Sequence, residues 1–65
     1  MGKQQVSYEV TTGKGQTLTY TERADGKGFT VTDDKGEYVG GGDGDTSRAA
    51  YGDARRFGGT ATRST

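Results

Sequence analysis

Cysteine, histidine, proline and tryptophan are all missing from this 65-residue chain, and hydrophobic residues make up only 26% of it. Without cysteine there is no disulfide to staple a small fold, and without Cys or His there is no ordinary structural zinc site. The same two absences remove the thiolate nucleophile and the usual general base of neutral-pH catalysis. No apolar run exceeds three residues, far short of the roughly 20 that a membrane-spanning helix requires. Met1–Gln5 has no apolar stretch of the kind a signal peptide carries, so none is expected, and a cytoplasmic setting fits. Gly2 follows Met1, but Val6 stands where a myristoylation signal wants a hydroxyl, and no membrane partner is expected.

What the chain does possess is alternation. Val6, Tyr8 and Val10, then Leu18 and Tyr20, then Phe29 and Val31 are each separated by one polar residue. Side chains on a strand point to opposite faces in turn, so a period of two means a strand with one face in a core and one in water. The pattern predicts strands over Gln4–Thr12, Gln16–Arg23 and Gly28–Asp33, with a short fourth over Glu37–Val39. Gly13-Lys14-Gly15 and Asp25-Gly26 supply hairpin connections, and Asp33-Asp34-Lys35-Gly36 has the form of a turn closed by a left-handed glycine.

After Val39 the character changes. Gly40-Gly41-Gly42-Asp43-Gly44 reads as an irregular connection, because ordering so many glycines is entropically costly. Asp45, Thr46 or Ser47 can then cap a helix over Thr46–Phe57, in which Ala50, Ala54 and Phe57 form a narrow apolar stripe. Gly58-Gly59 ends it. The expected architecture is an α+β domain, residues 1–59: a three- to four-stranded antiparallel meander followed by one short helix packed on one face. Residues 60–65 read as a flexible tail. The inner face would hold the alternating residues above with Ala50, Ala54 and Phe57, and Tyr38 or Val39 would fill its edge. A small all-β barrel with a disordered C-terminal third is the competing arrangement. The strand-to-helix join from Tyr38-Val39-Gly40 through Asp45-Thr46 to Ala49-Ala50 resembles that of plant AP2-type and integrase arm-binding domains, which implies the same order of strands and helix.

Site chemistry is sparse. A phosphate cradle at the glycine-rich loop lacks a following lysine, and Asp43 and Asp45 would repel the anion. A calcium loop starting at Asp43 would have Arg48 at its sixth position and Ala54 at its twelfth, where glycine and glutamate are needed. Paired-carboxylate hydrolysis needs a shielded cleft, and a domain this thin has little material to build one. The reading is therefore no enzyme, no cofactor, no metal and no small-molecule substrate.

Charge and surface residues point instead to a macromolecular partner. The nine basic and nine acidic residues cancel, yet residues 24–45 are acidic and residues 46–65 basic, with Arg48, Arg55, Arg56 and Arg63 in the latter. Opposite patches can attract within one molecule or between two. Thr17, Thr19, Thr21, Thr30 and Thr32 should share the outward sheet face, edged by Arg23 and Lys27. Threonine suits a wet strand face in any sheet, but such a face can also meet a partner. Tyr38, Arg48, Tyr51, Arg55 and Arg56 complete the candidate contacts, since tyrosine and arginine are favoured in protein interfaces. The expected function is a protein-binding module of the inhibitor or adaptor type, such as phages and mobile elements encode. Its thin core calls for a homodimer or a tightly held partner. The alternative is a β-sheet nucleic-acid binder using the threonine face, with a basic face of Arg23, Lys27, Arg55 and Arg56; the neutral total charge weighs against it.

Overall fold

The computed structural model describes residues 6–24 and 26–63. Strands β1 (Ser7–Thr11), β2 (Thr17–Glu22), β3 (Phe29–Thr32) and β4 (Tyr38–Gly42) form the expected meander. Helix α1 (Thr46–Arg56) follows, and a further strand β5 (Thr60–Arg63) closes the element order. All pairings are antiparallel, in the spatial order β4-β3-β2-β1-β5. The helix thus carries the chain from one edge of the sheet to the other. The domain is α+β and two-layered, with the helix on one face only.

Register puts the alternating residues together. Tyr8 faces Tyr20, Val10 faces Leu18, and Tyr20 faces Val31. Val10, Tyr20, Phe29 and Val31 are buried with Ala50 and Ala54 of the helix, while Tyr8 and Leu18 pack around them half-buried. Tyr20 and Phe29 stack diagonally across β2 and β3, with ring centroids 5.8 Å apart. The small faces of Ala50 and Ala54 let the helix lie close to the sheet. Asp45 caps it: its carboxylate accepts from the Ser47 amide at 3.0 Å and from the Ser47 hydroxyl at 2.9 Å. These hydrogen bonds hold the exposed Asp45 carboxyl below its ordinary pKa. At the β3–β4 turn, Asp33 accepts from the amides of Lys35 and Glu37, and Gly36 takes the expected left-handed φ of 81°. Gly26 is left-handed at the β2–β3 turn, while Asp25 lies outside the described residues.

Four expectations need correction. The tail expected from Thr60 is instead β5, paired to β1 from Tyr8↔Arg63 to Thr11↔Thr60; Ser64 and Thr65 lie outside the described residues. Gly40, Gly41 and Gly42 belong to β4, not to an irregular loop. A Cβ on Gly41 would stand 2.6 Å from the Phe29 carbonyl oxygen, and one on Gly42 would stand 3.1 Å from the Phe29 ring. Close strand approach thus outweighs the entropic cost of glycine there. Phe57 is the helix C-cap and 41% exposed, because it sits past the last regular turn. Val39 does not fill the core edge either: a register shift between Val31 and Thr32 leaves it 55% exposed.

The helix exit depends on its two glycines. Gly58 has φ 68°, its amide donates to the Arg55 carbonyl at 3.3 Å, and the Gly59 amide donates to the Ala54 carbonyl at 2.8 Å. This Schellman pairing satisfies carbonyls that the helix end would otherwise leave bare. Gly59 then passes so near β1 that a Cβ on it would fall 1.6 Å from the Thr11 carbonyl oxygen. By contrast, exposed Gly52 in mid-helix has nothing within 4 Å of such an atom. Gly59→Ala is expected to destabilise the fold by more than about 2 kcal/mol, whereas Gly52→Ala stabilises it by about 1 kcal/mol. Urea titrations of the two variants, showing midpoints on opposite sides of wild type, check this contrast.

Candidate functional site

Three surfaces could carry function: the bare sheet face, the cleft between α1 and β5, and the part of the inner face that the helix leaves open. The bare face assembles as the alternation predicts. Thr19 faces Thr32, Thr21 faces Thr30, and Thr17 faces Thr11 across the strands. The face is wider than expected, because Thr60 and Thr62 of β5 extend its rows beside Thr11 and Glu9. Tyr38, opposite Thr32, joins it through the β4 register shift, with its hydroxyl above Gly41. Arg23 and Lys27 are exposed in the β2–β3 turn at one end of it.

The basic face expected from Arg23, Lys27, Arg55 and Arg56 is not assembled. The β2–β3 turn lies by the helix N-terminus, where Gly26 and Gly28 share a hollow with Asp43 and Thr46. The helix C-terminus lies by the β1–β2 turn, where the Gly13 amide donates to the Phe57 carbonyl at 3.0 Å. The two pairs of cations therefore stand at opposite ends of the helix, roughly 15 Å apart along its axis at 1.5 Å per residue. Arg48, Tyr51 and Arg55 do come together: spaced i, i+3, i+7 on α1, they line the cleft against Gly59–Ala61. Tyr51 packs edge-on against Tyr8 at 5.8 Å. Arg56 does not line that cleft.

The helix packs on β1, β5 and β2. Beside it, over β3 and β4, a groove of about 270 Å³ remains on the inner face. Val31 and Gly40 are on its floor, and Leu18, Val39 and Phe57 contribute apolar walls, with Asp53 among the lining residues. Ligand pockets for drug-sized molecules span roughly 300–1,000 Å³ and enclose their contents. This groove is below that range and open, of a size for one or two side chains. Phe57 is expected in the core from its helical spacing and Val39, as an alternative to Tyr38, at the core edge, so neither stands among the surface candidates. The sole sequence hint was their position, each at the end of an element and next to glycine.

Electrostatics in the groove centre on Tyr20. Its ring is buried at 2% exposure, and its hydroxyl donates a short hydrogen bond to the Asp53 carboxylate. Burial raises the phenol pKa well above its ordinary value, and the hydrogen bond and negative charge of Asp53 add to the effect. This pairing anchors the helix and does not produce a reactive phenolate. At the helix N-terminus the Ser47 amide donates to the chain's own Asp45, whose negative charge disfavours an anion there. Among the described residues no three of His, Cys, Asp and Glu gather as metal ligands. No protein-family model matches the chain, and no curated protein or solved structure is significantly similar to it.

Tyr20→Phe keeps the ring but removes the donor, leaving Asp53 without its partner. The expected cost is about 1–3 kcal/mol, as for a hydrogen bond to a charged group. Because the folded state holds the phenol proton more tightly than the unfolded chain, the wild-type advantage is full below the ordinary pKa of 10.0 and shrinks as pH rises beyond it. Urea denaturation of both proteins from pH 7 to pH 11 should show their midpoints converging only at the alkaline end; a constant gap contradicts the assignment.

Proposed function

We propose that the chain is a small non-enzymatic protein-binding module, of the inhibitor or adaptor type, that meets its partner around strand β4. The observation that carries this reading is the placement of its exposed large side chains. Tyr38 is 65% and Val39 55% exposed on this strand, and Phe57 lines the groove beside it. A chain so poor in apolar residues exposes Tyr38 and Val39 on one edge strand, and Phe57, held by the β1–β2 turn, walls the groove that reaches Val39. Clustered apolar exposure marks interaction surfaces, whereas scattered exposure means nothing. Tyr51 and the arginines Arg48 and Arg55 offer a second contact area on the helix, at the other edge. A cytoplasmic setting suits a chain without cysteine.

The nucleic-acid alternative has less support. Its threonine face carries Glu9 in its middle row, and its flanking cations Arg23 and Lys27 are separated from Arg55 and Arg56. DNA affinity rests largely on neutralising phosphates, which needs cations gathered on one surface. The test is capture of partners from the organism that encodes the chain, using wild type, a Val39→Asp/Phe57→Ser double variant, and Thr19→Lys. The expected result is one saturable protein partner, reduced at least tenfold by the double variant and unchanged by Thr19→Lys. Retention of nucleic acid alone, with a steep loss as salt rises, overturns the reading in favour of the alternative.

A further inference from the structure

We infer that β4 receives an extended, basic segment of a partner protein as an added sixth strand, with one large apolar side chain of that segment seated over Gly40. This rests on the protein-binding reading above and specifies how the contact is made.

An edge strand leaves half of its backbone donors and acceptors without a strand neighbour. Among the described residues β4 pairs with β3 alone, and no other strand lies along its outer side. Folded proteins ordinarily protect such an edge with charged side chains, lysine above all. The sequence of β4, Tyr38-Val39-Gly40-Gly41-Gly42, has none. Three consecutive glycines also leave its backbone uncrowded. The register shift at Val39 twists one end of the strand, but from Gly40 to Gly42 pairing with β3 is regular. In strand addition the main chain supplies affinity, and hollows for alternate side chains supply specificity.

Gly40 provides such a hollow. It lies opposite Val31 on the inner face, and a Cβ built on it meets nothing within 4 Å. Its neighbour Gly42 differs, since the Phe29 ring already covers it. The empty space over Gly40 opens into the groove walled by Leu18, Val39 and Phe57. A side chain from a strand laid against β4 reaches this space over Gly40 without obstruction.

Charge selects the composition of that strand. Asp33, Asp34 and Glu37 flank one end of β4 and Asp43 and Asp45 the other, against Arg23, Lys27 and Lys35. An incoming basic segment is attracted and an acidic one repelled. The same charges argue against a second copy meeting this edge symmetrically, because β4 against β4 brings two acidic flanks together. Pairing of β4 with the Arg63-bearing β5 of another copy would satisfy the charges, but such a head-to-tail contact builds multi-copy rings or open filaments. A partner's basic segment satisfies the backbone, the hollow and the charge without that consequence.

The probe is a synthetic eight-residue peptide alternating lysine with valine around one central phenylalanine, with a second peptide carrying glutamate in place of lysine. Binding is followed by fluorescence anisotropy and by amide NMR shifts of the full chain. The lysine peptide should bind at least tenfold more tightly than the glutamate peptide, weaken as salt rises, and shift the amides of Val39–Asp43 most. Gly40→Val fills the hollow at a position whose φ is not left-handed, so it should melt no lower than wild type and bind at least tenfold more weakly. Gly40→Ala should lose less. Equal binding of both peptides, shifts centred on the threonine face or on β5, or undiminished binding by folded Gly40→Val overturns the inference. So do β4 amide shifts that depend on protein concentration alone, which would give the edge to a second copy. Such failures beside a successful partner capture leave the protein-binding reading intact and remove only the assignment to the β4 edge.

Discussion

The hydrogen bond from Tyr20 to Asp53 determines where the helix lies, and most of the molecule's surface follows from that position. Helix α1 meets the sheet through Ala50 and Ala54, whose small faces offer little to fix its lateral placement. Tyr20 is the largest fully buried side chain, and its hydroxyl is reached from the helix by Asp53. Leaving a buried hydroxyl unpaired costs about 1–3 kcal/mol, a large part of the stability of so small a domain. The pairing therefore holds the helix over β1, β2 and β5. Had the helix been centred on the sheet, β3 would have been covered and the groove closed.

The offset divides the domain into two unequal halves. Over β1 and β5 there are two layers, with Val10 fully buried between them and the helix exit locked by Gly59 against Thr11. Over β4 there is essentially one layer, where Val39 remains exposed on the edge strand and Phe57 walls the groove that reaches it. The thick half gives the fold its stability, and the thin half leaves apolar surface and backbone that water covers poorly. This asymmetry is what makes the β4 side the better place to seek a partner, ahead of the broad threonine face, which is fully at ease in water.

Much of this was legible in the residues. Alternation from Val6 to Val31 gave the first three strands and their inward side, and the capping residues Asp45, Thr46 and Ser47 with Gly58-Gly59 marked both ends of the helix. What escaped was decided by contacts distant in sequence. Thr60–Arg63 holds only Ala61 as an apolar residue, so nothing local marks it as a strand; it becomes one because the Gly59 turn delivers it to the free side of β1. Gly40–Gly42 reads as a loop until the Phe29 carbonyl and ring claim the space where side chains would stand. The outward side of Tyr38 depends on a register shift that no pattern announces. For the candidate site, the threonine rows were foreseen, while the groove was hidden because Val39 and Phe57 looked like core residues.

Solvent accessibility of methyl groups tests the offset helix most directly. Relaxation of the valine methyls by a neutral paramagnetic cosolute, in the free protein at neutral pH, compares the two halves in one experiment. Strong relaxation at Val39 with almost none at Val10 is the predicted result. Comparable shielding of both, or relaxation at Val10 with protection at Val39, would place the helix over β3 and β4 and contradict the account.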